Sequence, residues 1–411
     1  MTEQRSSTAE LLRDRNFLAF ILSRTANGMG IHILTVAVGW HVYQLTKDPL
    51  DLGYIGLAQF APHFVFFLAA GMAADRLDRR AILAICNIVH LIAVALLMFV
   101  LWGDIGGVGA IFAILVVHGT ARAFFHTASQ AILPNLVSTQ MFPKAVAYSS
   151  SANKVAQLAG PALGGALVAW AGDWTYYTTV LMFAIAGVGS MMIRGALHVR
   201  SSEPMGLRTL LGGFNYVWNN KVVLGAVSID LLAVLFGGVM GLLPIYAADI
   251  LHVGADGLGV MRAMPGVGSL LMGVALTQVA APRHMGPALF IALAVFGASI
   301  IIFSLSEVFW LSLVALAIYG ASDMVSVYIR LTLVQIATPD AMRGRVSAVN
   351  SVSINASNEL GDFRAGLSAA FIGTIPAVLV GGIATLAVTL LWAKLFPAIR
   401  RVDHLDDFAK N

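Results

Sequence analysis

Long apolar runs separated by short polar breaks dominate this chain. A helix needs about 20 mostly apolar residues to cross the hydrocarbon core of a bilayer. Such runs fall at Phe17–Tyr43, Leu52–Met72, Ala81–Leu101, Val108–Phe125, Ala145–Trp170, Trp174–Ile193, Val222–Ala247, Leu258–Val279, Leu289–Phe303, Phe309–Ala337, Val346–Phe371 and Ile375–Phe396. The pattern predicts an all-α integral membrane protein with about twelve spans. The breaks between them carry Pro, Gly, Asp or Arg and are too short for a soluble domain, so whatever the protein does, it does in or at the membrane.

Composition strengthens this reading. Of 411 residues, 58% are hydrophobic and 11% charged, and the mean hydropathy is +0.83, far from the balance of a water-soluble domain. The net charge of +4 acts as a topology signal. With a cytoplasmic N-terminus, Arg76, Arg79, Arg80, Lys144, Arg200, Arg343, Arg345 and the other basic residues of the loops fall on one side, and Lys47 alone on the other. Cytoplasmic loops are the Lys/Arg-rich ones, so we expect a multi-pass protein of a bacterial inner membrane with both termini cytoplasmic. The cations are scattered over separate loops without aromatic interleaving, which argues against nucleic acid as a partner. Cys86 is the only cysteine, which rules out an internal disulfide and a cysteine-rich metal site; no cofactor or metal is expected.

The chain reads as two halves. The stretch "TQMFPKAVAYSSSANKVAQLAGP" from Thr139 has a weak echo in "PDAMRGRVSAVNSVSINASNELGD" from Pro339, and the longest internal loop separates the sixth and seventh spans. We therefore expect an N-terminal six-helix half over 1–197, a cytoplasmic linker over 198–221 and a C-terminal half over 222–411. Within the linker, Leu207, Leu210, Leu211, Phe214 and Trp218 recur at helical spacing opposite Arg208, Thr209 and Asn215, which predicts a helix lying in the membrane interface. An unstructured linker is the alternative.

The loop between the second and third spans reads "GMAADRLDRR". Gly71, Asp75, Arg76, Arg79 and Arg80 resemble the signature loop of the major facilitator superfamily, with Asp78 in place of its second Gly. The resemblance implies two pseudo-symmetric six-helix halves and a cytoplasmic gate in which Asp75 faces a helix N-terminus and Arg partners. Simple anchoring by positive charge is the alternative for Arg79 and Arg80. In the fifth span "AGPALGGAL", with Gly160, Pro161, Gly164 and Gly165, is similar to the Gly-Pro run of the superfamily's proton-exchanging exporters. Small residues there permit close helix approach and Pro161 permits a bend; a plain packing face is the other reading. The region from Ile329 resembles the bacterial branch that includes siderophore exporters such as the enterobactin exporter.

Several spans carry polar stripes, and ionisable groups within a span are costly and mark pathways. These are Arg24 and Asn27 in the first, His118, Arg122 and His126 in the fourth, and Asn153, Lys154 and Gln157 in the fifth. Asp230 lies in the seventh, Asp323, Ser326 and Arg330 in the tenth, and Ser351, Asn355, Asn358, Glu359 and Asp362 in the eleventh. The resemblance places these spans around a central cavity. Arg24, Asn27, Arg122, His126, Lys154, Gln157, Arg330, Asn355 and Asn358 are the substrate-cavity candidates. Burial favours the protonated form of a carboxyl group, which makes Glu359, Asp362, Asp230 and Asp323 the candidates for proton coupling. A static ion pair between helices is the competing role for each, and a structural role is the competing reading for His118 and His126.

The expectation is a monomeric secondary transporter that exports a small amphipathic or acidic molecule, siderophore-like or drug-like, by alternating access and proton antiport. A phosphate-binding Gly-x-x-x-x-Gly-Lys-Ser/Thr loop is absent from the sequence, so the chain does not hydrolyse ATP as its driving force. His-Glu-x-x-His and Gly-x-Ser-x-Gly are absent too, which argues against an enzyme. A non-transporting receptor or scaffold, and a facilitator without proton coupling, remain as alternatives.

Overall fold

A backbone in hydrocarbon has no water to bond, so each apolar run closes its hydrogen bonds within itself as a helix. A computed structural model of the chain describes residues 11, 13–103, 105–194, 207–278 and 284–400. Among them lie α1 (Arg15–Thr46), α2 (Pro49–Arg76), α3 (Arg79–Gly103), α4 (Gly107–Leu136), α5 (Phe142–Ala171) and α6 (Trp174–Met192). After a linker helix (Leu207–Asn219) come α7 (Lys221–Gly237), α8 (Gly254–Gln278), α9 (Met285–Leu305), α10 (Phe309–Ile336), α11 (Asp340–Ile372) and α12 (Thr374–Leu395). The two termini and residues 198–206 of the expected linker lie outside the described residues.

Among the described residues, nine helical stretches are long and apolar enough to cross a membrane, with α7 and the turns after it (Lys221–Ile250) counted as one, or ten when the two parts of α2 count as one. The two long helices that fall short on apolarity are α5 and α11, of 30 and 33 residues. They are also the Ser/Asn-rich pair of the sequence echo. Outward-facing Val65, Leu271, Ile291 and Leu390 are all exposed, a surface that lipid tails match. Near the loop ends on the acid-rich side, Trp102 and Trp174 both pack on Tyr177, at ring separations of 5.5 and 5.0 Å, as amphipathic rings do at a headgroup layer.

Contacts divide the chain into one unit of residues 1–42 and 58–205 and a second of residues 43–57 and 206–411. In the first, α1 is gripped through small residues. A Cβ on Gly160 would stand 2.5 Å from His32 Cβ, and one on Gly164 would stand 3.1 Å from Ile33 Cα, so α5 lies against α1 backbone to backbone. Gly189 of α6 meets Ala19 O and Ser23 N in the same way. Without a hydrophobic drive between helices in lipid, such close approach is what holds them together. A core of Phe17, Phe20, Leu83, Phe125, Ile132 and Leu136 closes one end of this unit.

In the second unit α8 and α10 cross at Gly268 and Gly320, each against the other's backbone, and Ser269 Oγ donates to Gly320 O at 2.8 Å. The linker helix buries Val217 in a cluster with Val223, Val227, Val334 and Val346, and Tyr216 donates to Ala337 O at 2.7 Å. Phe214 and Trp218 of the same helix stay exposed and stack on each other at 6.0 Å.

One departure from the sequence pattern matters for function. The seventh run, continuous as Val222–Ala247 in the sequence, does not form one α-helix. Its α-helix stops at Gly237, resumes as a 3-10 turn at Met240–Leu242 and ends in a π-helical turn at Tyr246–Ile250. Two consecutive glycines, with little helix propensity, mark the break.

Candidate functional site

The polar side chains gather into separate groups within each unit. In the first unit the mid-span charges are cationic. His126 is exposed, and its charged or titratable neighbours are His63, Arg122 and Arg24. The His126 ring meets His63 edge to face at 5.8 Å, and Gln130 Nε2 lies 3.0 Å from its Nε2. The α4 stripe therefore projects Arg122 and His126 toward Arg24 of α1 and His63 of α2. The acids of this unit among the described residues are Asp14, Asp75, Asp78 and Asp173, all at helix ends or in loops. Lys154 and Gln157 are exposed on α5, bonded to each other at 3.0 Å.

Two members of those stripes turn elsewhere. Asn27 is 2% exposed and donates to Asn87 Oδ1 at 2.9 Å; Asn87 in turn bonds Ser190, and Ser190 bonds Ser23. This closed knot ties α1, α3 and α6 together, with every member satisfied from inside the protein. His118 pairs with His90 of α3, Nδ1 to Nδ1 at 2.9 Å, and Phe183 stacks on His90 at 4.7 Å. Both rings are sealed from solvent.

The signature loop at the other end of this unit is a capping device. Arg79 is buried and donates to Ala74 O at 2.8 Å and Ala131 O at 2.7 Å, satisfying carbonyls at the ends of α2 and α4. Asp75 lies 3.9 Å from it. Asp78, the departure from the family pattern, accepts from Arg80 N at 2.9 Å. It thus caps the N-terminus of α3 as an Asp at that position does. Arg80 reaches Ile193 O at 3.2 Å. Arg76 is exposed, and a Cβ on Gly71 would meet nothing within 4 Å.

In the second unit Asp230 and Arg330 form a buried ion pair at 2.7 Å, each side chain 5% exposed, with Arg330 Nε donating to Ser326 at 3.0 Å. This pair locks α7 to α10 and consumes both charges. Two further mid-span acids, Glu359 and Asp362, are neighbours of Arg262 near the break after α7. The backbone N–H groups of Met240 and Gly241 face the Asp362 carboxylate, and Arg262 and Arg364 are its cationic neighbours. Arg364 donates to Leu235 O at 3.2 Å and Phe236 O at 2.6 Å. Arg262 of α8 reaches Met240 O at 3.5 Å, its Nε is buried without a hydrogen-bond partner, and Glu359 is a second acidic neighbour. Tyr319 of α10, stacked on Phe296 at 4.4 Å, lies between the fields of Asp323 and Asp362. Asn358 is exposed and bonds its own helix at Ile354 O. The Asn355 side chain lies outside what is described.

Sequence reasoning missed His63, His90 and Arg262. Gln59 with His63 and Asn87 with His90 sit one helical turn apart, a short polar stripe in each case. Arg262 has no polar neighbour at helical spacing and only its charge inside an apolar run to mark it.

A family model described as "Transmembrane secretion effector" matches residues 6–411. The enterobactin exporter EntS of Citrobacter koseri is 23% identical over 392 residues, covering 94% of this chain and 92% of that protein. Among solved structures, a POT family transporter in complex with 5-aminolevulinic acid superposes with a TM-score of 0.76 at 10% identity, over 94% of this chain and 97% of its own. A bacterial homolog of the human lysosomal transporter Spinster gives 0.73 at 14% identity, over 97% and 98%. These structural likenesses carry the fold alone.

Proposed function

The chain belongs to the transmembrane secretion effector family of the major facilitator superfamily, a family of transporters rather than enzymes, and from that premise we propose that it exports a small acidic, amphipathic molecule in exchange for protons. The observation that carries the reading is the gathering of Arg24, Arg122, His63 and His126 within one unit whose described acids all stand at helix ends. A cargo bearing carboxylate oxygens matches the sign of charge gathered there. Arg suits the task because its planar fork pairs with two oxygens at once and keeps its charge. The relative of known cargo, named for the export of enterobactin, favours a siderophore-like acid over a broad drug spectrum.

The proton is assigned to Glu359 or Asp362. Both stand in the second unit beside Arg262, whereas Asp230 is held in its pair with Arg330. Transport would run by alternating access, each half opening in turn, in a bacterial inner membrane, with a single protomer as the working unit and both termini cytoplasmic.

Proteoliposomes under an imposed pH gradient test the proposal. The expected outcome is cargo flux that follows the gradient, with proton movement lost in Glu359→Gln or in Asp362→Asn. Flux indifferent to the gradient would make the protein a facilitator. Absence of flux for every acid tried, with the gradient undisturbed, would make it a receptor or scaffold.

A further inference from the structure

The break in α7 leaves backbone groups that a continuous helix would have paired. The carbonyls of Leu235 and Phe236 lose the N–H groups four residues on, and the N–H groups of Met240 and Gly241 lose the carbonyls four residues back. In lipid, unpaired groups of this kind are tolerated only when neighbouring protein satisfies them. One short stretch of α11 meets both needs. Arg364 donates its Nε to Leu235 O at 3.2 Å and its Nη2 to Phe236 O at 2.6 Å. Two residues earlier, Asp362 packs on the other side of the break, where a Cβ on Gly241 would stand 3.3 Å from its carboxyl carbon, beside the Met240 and Gly241 N–H groups.

The packing around this contact is cut to fit. A Cβ on Gly238 would stand 2.5 Å from the Gly361 carbonyl carbon, and one on Gly361 would stand 2.8 Å from Val234 O. A Cβ on Gly381 of α12 would stand 2.5 Å from Phe236 O and 3.1 Å from Arg364 Nη2. Three glycines, one in the break and one each in α11 and α12, therefore make the slot in which the two charges reach the broken backbone.

We propose that Asp362 and Arg364 are positioning residues that clasp the two sides of the break in α7, and that a proton arriving on Asp362 opens one side of the clasp and changes the bend of α7. The step rests on the assignment of Asp362 as a proton-carrying acid. A neutral carboxyl group is a far weaker acceptor for the two N–H groups. Once released, the Met240 N–H can return to Phe236 O and the helix can lengthen across the glycines. The groups around Asp362 are Arg262 from α8, whose other acidic neighbour is Glu359, Tyr319 from α10, whose other acidic neighbour is Asp323, Arg364 from its own helix, and the 240–241 N–H groups of the turn after α7. Occupancy of one carboxyl group is thereby converted into a movement of a transmembrane segment.

The test uses the full chain in lipid nanodiscs. Spin labels go on Lys221→Cys and His252→Cys, either side of the break, in a Cys86→Ala background. The distance between them is measured in acidic and alkaline buffer. The clasp predicts a distance that changes with pH in the parent protein, and an Asp362→Asn variant that keeps the acidic-buffer distance under both conditions. Arg364→Lys, which retains the charge but loses the two-carbonyl fork, should broaden the distribution at both. A parent distance that ignores pH, or an Asp362→Asn variant that still responds to it, overturns the clasp. Flux on the same variants separates this from the exporter reading. Lost proton coupling with unchanged distances sinks the clasp and leaves the antiporter. A pH-driven distance change in a protein that moves no protons keeps the clasp and sinks the antiporter.

Discussion

Asp230 and Arg330 illustrate how burial decides the meaning of a charged residue. Both sit within apolar spans, each is 5% exposed, and each satisfies the other at 2.7 Å. Taking one partner away strands the second charge away from water, a loss of about 3–5 kcal/mol, whereas replacing both by apolar groups is often neutral. Asp230→Asn alone and Arg330→Met alone should therefore each lower the thermal unfolding midpoint in detergent strongly. Asp230→Leu with Arg330→Met should recover most of the loss. A double variant as damaged as the sum of the singles would show that the pair does more than join α7 to α10. Asn27 carries the same lesson in neutral form. From the sequence it shares a stripe with Arg24, yet its amide is engaged by Asn87 and closed off from solvent. Spacing along one helix reveals which residues share a face, but not which neighbour that face meets.

At the scale of elements, the helices themselves were legible because a bilayer imposes length and apolarity on every span. The polar helices α5 and α11 could be placed by their position between clear spans. The break in α7 was not legible as a break. Gly237 and Gly238 announce weakness, but the partner of the freed carbonyls, Arg364, comes more than a hundred residues later in the chain. The glycine-rich face of α5 was visible, and its partner was not. The structure puts Gly160 against His32 and Gly164 against Ile33. This yields a contrast between two glycines of the family motifs. Gly160→Ala brings a methyl group to 2.5 Å from His32 Cβ and should cost on the order of 1–3 kcal/mol through overpacking. Gly71→Ala meets open space and should leave stability unchanged or raise it by about 0.5–1 kcal/mol, since Ala is the better helix former. Thermal unfolding of the two purified variants distinguishes them. Equal losses would mean that α5 can shift away from α1 and that the Gly-Pro run is a bending element instead of a packing face.

At the scale of the molecule, the two units divide the chemistry. Among their described mid-span groups, the first concentrates Arg24, Arg122, His63 and His126. The second concentrates Asp323, Glu359 and Asp362 with Arg262 and Arg364. Stripe spacing exposed Arg24, Arg122 and His126 from the sequence, whereas His63 joins them only through the fold. A division of this kind lets cargo and proton be recognised by different charges, so that damage to one should be separable from damage to the other. On the proposed reading, Arg24→Gln and Arg122→Gln each remove a charge-assisted contact to the cargo worth about 1.5–3 kcal/mol, which is about tenfold or more in affinity. The weakening should appear for a cargo acid and be nearly absent for its uncharged amide, because the amide never used that charge. Proton uptake at the second unit should persist in both variants when it is measured without cargo. Equal weakening for acid and amide would mean that the two arginines hold helices in place, and the site for the acidic cargo would then have to lie around Arg262.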